Sequence, residues 1–250
     1  MKIALITGGS RGLGRNMAQH LAAQGVDILF TYRTRKDEAD SLITELATKG
    51  RKAVALQLDT GVTADFPAFA AQVRAVLKSE WNRDDFDFLI NNAGMALYAP
   101  FAAVTEAQFD GIVNVHFKGV VFLTQALLPL IRDGGRILNL SSGLARFSYP
   151  GSSIYGATKA AIDTLTRYMA LELGPRRITV NAIAPGAIET DFGNGNVRDN
   201  AEINAAIAGR TPLGRVGLPD DIGGAVSLLL SDEAGWINGQ RIEISGGIHA

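Results

Sequence analysis

An α/β fold, a single doubly wound parallel sheet of seven strands with helices on both faces, is the architecture that this 250-residue sequence predicts. Short β-branched runs alternate with longer segments of helical periodicity from one end to the other. No Pro/Ser-rich linker or composition break divides the chain, so residues 1–250 read as one domain. The 28 glycines exceed the average share of about 7% and point to tight turns between strands and helices. Parallel strands need crossover connections, and these crossovers cover both faces of the sheet.

The first strand, Ile3 to Thr7, runs into a glycine-rich turn and a helix from Gly12 to Gln24, in which Met17, Ala18 and Leu21 recur at helical spacing. Strand Val26 to Thr31 precedes helix Asp37 to Thr48, and strand Ala53 to Leu58 precedes helix Ala64 to Lys78. After strand Phe86 to Asn91, a long helical pattern from Thr105 to Ile131 is expected to break around Asp110. Strand Arg136 to Leu140, helix Ser153 to Leu173, strand Ile178 to Ile183, helix Asp220 to Leu230 and strand Arg241 to Ile244 complete the series. Only Gly186 to Thr211 departs from the rhythm, with Gly193, Gly195 and the Ala/Ile-rich piece Ala201 to Ala208. Long irregular insertions tend to be functional, so residues 187–211 are expected to form a substrate lid, with a passive surface loop as the alternative.

Composition narrows the function. A net charge of −1 with scattered Lys and Arg gives no footprint for nucleic acid, which leaves a small molecule as the expected partner. The absence of cysteine excludes disulfides, thiolate nucleophiles and Cys-ligated metals. The three histidines, His20, His116 and His249, lie on separate segments without ligand spacing, and packing or surface roles are expected for them rather than metal binding. The apolar run at the amino end is short for a signal peptide. Gly119 to Ile131 falls below the roughly 20 residues that span a bilayer, so no membrane segment and a cytoplasmic location are expected.

Chemistry is suggested at two places. The turn Thr7-Gly8-Gly9-Ser10-Arg11-Gly12-Leu13-Gly14 leads from a strand into a helix whose free N–H groups can face a pyrophosphate, although any tight turn can use such glycines. The second strand ends in Phe30-Thr31-Tyr32-Arg33 and offers no carboxylate for a ribose. Arg33, with Arg11, suits a 2′-phosphate and favours NADP (NADPH) over NAD, unless both are simply solvated arginines. Asp27 begins that strand, far from any ribose. At the other place, Tyr155 and Lys159 share a helical face, where an ammonium would lower the phenol's pKa from about 10 and make it usable for proton transfer. Alone, such a pair is commonplace.

The glycine turn, Asn91-Asn92-Ala93-Gly94, Asn114, Ser142, Tyr155 with Lys159, and Pro185-Gly186 occur in order on the expected elements. Together they resemble the short-chain dehydrogenase/reductase family, with its Rossmann-like fold, and within it the branch that includes 3-oxoacyl-carrier-protein reductases. The likeness covers nearly the whole chain. It implies Tyr155 as the catalytic acid/base and Lys159 as the partner that holds the nicotinamide ribose and lowers the phenol's pKa. Ser142 would bind the substrate oxygen, with Ser141 its structural neighbour. Asn114 would sit at a helix irregularity, its carbonyl holding a water of the proton relay. The coenzyme would further be met by Gly8, Ser10, Arg11, Gly12, Leu13, Gly14, Arg33, Asp59, Asn91, Ala93, Gly94, Pro185, Gly186, Ile188 and Thr190, with Asn91 and Gly94 also supporting the central sheet. Ser142 and Tyr155 donors would stabilise the alkoxide formed as hydride reaches a carbonyl carbon.

The substrate wall is expected from Met95 to Tyr98, Leu144 to Tyr149 and the lid, with Leu144 and Tyr149 as substrate contacts. Arg146 would admit a polar group. The substrate is then a carbonyl or alcohol, free or on a carrier protein, for which Arg132, Arg176 and Arg177 are candidate docking residues. Apolar surplus on the helix Ile112 to Ile131 and on Val226 to Leu230 is expected to reflect either a homotetramer, as the resemblance implies, or burial within one subunit. Three rival readings stand beside the reductase. They are an NAD-linked alcohol or sugar dehydrogenase, a catalytically silent nucleotide sensor, and a methyltransferase that shares only the glycine turn.

Overall fold

The computed structural model describes residues 1–249. Its strands are β1 (Ile3–Ile6), β2 (Asp27–Tyr32), β3 (Ala53–Gln57), β4 (Phe86–Asn91), β5 (Ile131–Leu140), β6 (Thr179–Pro185) and β7 (Arg241–Ile244). All pair in parallel in one seven-stranded sheet of order β3-β2-β1-β4-β5-β6-β7. Every residue of β1 and β4 is buried, which explains their nearly continuous apolar sequences. From β1 the chain winds outward to β3, then returns to β4 and winds the other way. The crevice beyond the carboxyl ends of β1 and β4 is therefore the switch point where such sheets bind ligands.

Helices α1 (Gly12–Ala23), α2 (Lys36–Thr48) and α9 (Pro219–Leu229) cover one face through Met17, Leu21, Leu42, Leu46, Ile222 and Val226. Helices α3 (Phe66–Trp81), α5 (Gly119–Leu127) and α6 (Ser153–Leu173) cover the other through Phe69, Val73, Leu77, Leu123, Leu127 and Ala170. Each large side chain so buried contributes about 1.5–3 kcal/mol.

Three expectations need correction. The long helix does not break around Asp110. Helix α4 (Glu106–Val113) passes into a π-helical turn, Asn114–Lys118, and then into α5. By length and hydropathy the run Glu106–Leu130 could cross a membrane, yet Ile112, Leu123 and Leu127 are fully buried along this crossover between β4 and β5. Second, β5 starts at Ile131 rather than Arg136, because Ile131 already pairs with Phe86 before the register shifts around an exposed turn. Third, the segment after β6 is largely helical, with a short 3₁₀ turn at Phe192–Gly195, α7 (Asn196–Asp199) and α8 (Ala201–Ala208), the last capped by the Asn200 side chain.

Candidate active site

The glycine turn is built for close approach at the crevice. Gly12 has φ +53, a conformation that side chains disfavour, and the space above it is open as far as Thr190. Gly14 has no such room, since a Cβ there would lie 2.3 Å from the Gly8 carbonyl. The turn is tied down on both sides. Gly8 N–H donates to Thr31 Oγ1 (3.0 Å), while Asn92 Nδ2 donates to the carbonyls of Thr7 (2.8 Å) and Gly8 (3.1 Å). The sequence reading gave Asn92 no role, although it lies in the quoted motif. Thr7 Oγ1 in turn accepts from the amides of Asn92 and Ala93.

This end fits a dinucleotide bearing a 2′-phosphate. The first turn of α1 contains no acid to repel an anion. Arg11 and Arg33 are exposed and enter no ion pair among the described residues, whereas nearby Arg35 is held by Asp37 and Glu38. Asp59 lies just beyond β3, its carboxylate accepting from Gly61 N–H (2.8 Å). Asp27 is buried and accepts from Trp81 Nε1 (2.8 Å) and Lys52 N–H (3.1 Å), far from the strand's carboxyl end. Asn91 supports the central sheet. Its side chain donates to Asn139 Oδ1 (2.9 Å) and Thr124 Oγ1 (3.1 Å), so it locks β4 to β5 and α5, and only its backbone is left for a coenzyme.

At the chemical end, Ser142 follows β5, and Tyr155 and Lys159 project from one face of α6. Lys159 Nζ donates to the Leu140 carbonyl (2.6 Å) and lies 5.7 Å from the Tyr155 ring centre. Burial pulls the lysine down to about 7, with Asp163 opposing it. Burial also pushes the Tyr155 phenol well above its usual value, and a hydrogen bond with Ser142 works the other way. In the protein alone, then, burial sets the direction at both groups, disfavouring the phenolate at Tyr155 and the ammonium at Lys159.

His116 is the unforeseen member of this group. It is 1% exposed, and its ring meets that of Tyr155 edge-on at 5.4 Å. A separate reading of each histidine by ligand spacing could not reveal this contact, because the π turn sets the direction of the side chain. Asn114, two residues earlier, lies on a different face, and its carbonyl accepts the Gly119 N–H.

Around Tyr155 the rim is aromatic. Phe192, from the segment expected to act as a lid, lies 6.1 Å from the Tyr155 ring, and Gly193 borders Tyr98. Tyr98 and Tyr149 are both exposed, and Leu144 N–H donates to Ser142 Oγ (3.2 Å). Arg146, expected to meet a polar substrate group, is instead paired with Glu243 (2.7 Å). A cavity of about 660 Å³ opens beside Gly186 and Ile188, lined also by Arg146, Arg215 and Glu243, but neither Ser142 nor Tyr155 lines it. Arg132 and Arg176 sit at the amino ends of β5 and β6, paired with Asp87 and Asp133, and Arg177 is beside them, all at the opposite end of the sheet from Tyr155.

A family model described as enoyl-(acyl carrier protein) reductase matches residues 8–249. The tetrahydroxynaphthalene reductase PfmaG of Pestalotiopsis fici is 37% identical over 257 residues, covering 98% of this chain and 91% of that protein. Among solved structures, a short chain dehydrogenase from Burkholderia cenocepacia in complex with NADP is 34% identical with a TM-score of 0.91, over 100% of this chain and 98% of that one. The angucycline C-6 ketoreductase LanV with bound NADP is 34% identical with a TM-score of 0.93, over 99% and 95%.

Proposed function

The chain belongs to the short-chain dehydrogenase/reductase family, an oxidoreductase family, and from that premise we propose that it is an NADPH-dependent reductase of ketones. The observation that carries this reading is the grouping of the partly buried Ser142 and Tyr155 with the buried Lys159 at the carboxyl ends of the strands, across the switch-point crevice from the glycine turn. NADP, bound in the two solved relatives, would be held by residues 8–14 and 90–94, with Arg11 and Arg33 on the 2′-phosphate. Pro185, Gly186, Ile188 and Thr190 would hold the nicotinamide end, and Lys159 its ribose. When bound, NADPH supplies the hydride.

The residues supply the rest. Ser142 and Tyr155 donate to the substrate oxygen as negative charge builds on it, and Tyr155 passes its proton to that oxygen, which completes the alcohol. Lys159 then favours the phenolate so formed, because a phenolate beside it raises the lysine's own affinity for a proton. Leu144, Tyr149 and residues 187–211 cover the substrate, the last acting as a lid.

An aromatic rim of Tyr98, Tyr149 and Phe192 favours a flat cyclic ketone over an acyl chain on a carrier protein. The arginines first considered for carrier docking lie at the far end of the sheet. The relatives named as a tetrahydroxynaphthalene reductase and an angucycline ketoreductase support the same choice. Exposed Phe109, Phe122, Tyr168 and Leu171 on α4, α5 and α6 favour self-association, with a homotetramer as the proposed state, and a cytoplasmic location is retained as part of the proposal. The test is NADPH consumption by the purified protein with aromatic cyclic ketones, 3-oxoacyl thioesters and diketones. The proposal expects turnover of the cyclic ketones, whereas turnover of the thioesters alone overturns the substrate class.

A further inference from the structure

Beside Tyr155 and the buried Lys159 lies another buried ionisable side chain, His116, which the reaction as proposed does not use. It projects from the π-helical turn Asn114–Lys118, and the chain opposite gives way for it, since a Cβ on Gly94 would stand 2.7 Å from His116 Cε1. Its Nε2 lies 3.0 Å from the amide nitrogen and 2.8 Å from the carbonyl oxygen of Met95. Its Nδ1 is buried with no partner among the described residues.

The ring cannot satisfy both Met95 groups at once. A neutral imidazole carries one N–H, so Nε2 either donates to the Met95 carbonyl or accepts from the Met95 amide, and Nδ1 takes the complementary state. Burial, followed by the charge of Lys159, pulls the histidine down to about 3, so the neutral ring persists throughout the working range. An orphaned buried nitrogen is destabilising, and a phenyl ring would give the same edge contact with Tyr155 without it. What phenyl cannot give is the link to Met95, the residue that opens the substrate wall leading to Tyr98.

We propose that His116 is a positioning residue for the reduction, a single side chain that ties the backbone of the substrate wall at Met95 to the ring of Tyr155. Hydride transfer depends on the direction of the phenol relative to the carbonyl, and misplacement by about 1 Å can cost a hundredfold in rate. His116 fixes two sides of that geometry together, the wall against which the substrate rests and the ring that delivers the proton. The inference rests on the ketoreductase reading.

The test compares His116→Phe, which keeps the ring and removes both nitrogens, with His116→Gln, whose amide can donate to the Met95 carbonyl and accept from its N–H. Three readouts are taken: kcat and KM for the ketone, NADPH affinity by fluorescence, and hydrogen exchange at the Met95 amide. We expect the Phe variant to bind NADPH within about threefold of the parent, to exchange Met95 faster, and to lose roughly 10- to 100-fold in kcat. The Gln variant should recover both exchange protection and most of kcat. A Phe variant with kcat within threefold of the parent overturns the proposal, as does equal loss of NADPH binding and kcat in both variants, which marks a purely structural role. Failure of the ketoreductase reading looks different, namely NADPH binding without turnover by the unmodified protein. In that event unchanged Met95 exchange in the Phe variant still overturns the link, and faster exchange upholds it.

Discussion

Lys159 Nζ stands 5.7 Å from the centre of the Tyr155 ring and 2.6 Å from the carbonyl of Leu140, and the lysine is buried beneath the phenol it serves. Such burial favours the neutral amine. Between about pH 7 and the ordinary lysine value of 10.5 the unfolded chain binds more protons at this site than the folded one, so stability rises with pH across that window. In Lys159→Met this rise should disappear. The variant should also be more stable at pH 7, by about 1–2 kcal/mol, because an isosteric apolar side chain avoids desolvating an amine. Denaturant unfolding at pH 7 and pH 9.5, without added nucleotide, checks both effects.

His116 gives the corresponding effect in acid. Its folded value of about 3 lies below the ordinary 6.5, so the folded protein binds fewer protons there than the unfolded chain in between. Stability should fall as the pH drops through that window, with a limiting slope of about 1.4 kcal/mol per pH unit from this group alone. Carboxylates also contribute to the acid limb of the parent, so the informative quantity is a difference. Subtracting the unfolding free energy of His116→Gln from that of the parent between pH 6.5 and pH 4 should isolate the slope.

Coenzyme selectivity should reside at the end of β2. Replacement of Arg33 with Asp removes a cation that has no ion-pair partner among the described residues and sets a carboxylate where a 2′-phosphate would lie. Loss of one charge-assisted contact, about 1.5–3 kcal/mol, corresponds to roughly 10- to 150-fold weaker NADPH binding, with NADH affected much less. Titration of both nucleotides against the two proteins measures this ratio.

Asn91 should behave as a structural residue. Asn91→Leu leaves Asn139 Oδ1 without its donor inside the sheet, at a cost of about 1–3 kcal/mol. NADPH affinity of the folded variant should stay within a few fold of the parent, since the side chain is engaged by Asn139 and Thr124. Thermal unfolding together with nucleotide titration separates these two outcomes.

The parts of this molecule that were legible in its sequence are those governed by local rules. Strand and helix alternation follows from hydrophobic period, and the seven strands occur in the expected order, with the start of β5 displaced to Ile131; the central β1 and β4, buried throughout, read as nearly unbroken apolar runs. The glycine turn and the Tyr155/Lys159 spacing are also local. What remained hidden depends on long-range contact. His116 reaches Tyr155 only through the extra residue of a π turn, and the particular partners of the Asn91 side chain, Asn139 and Thr124, are distant in sequence. The partners of Arg146 and Arg176 are distant in sequence. The balance between burial and charge at Tyr155 likewise needs three dimensions, since spacing along a helix reveals the neighbour but not the solvent excluded around both.

Transfer of deuterium from 4-deuterated NADPH to an aromatic cyclic ketone, followed in a single turnover by mass spectrometry of the alcohol, addresses the chemistry itself. The parent protein should place deuterium on the carbinol carbon. Tyr155→Phe should bind NADPH within about threefold yet transfer deuterium some 10²- to 10⁴-fold more slowly, the usual contribution of a positioned acid. Deuterium transfer by Tyr155→Phe at close to the parental rate would contradict the assignment of Tyr155 as the proton donor.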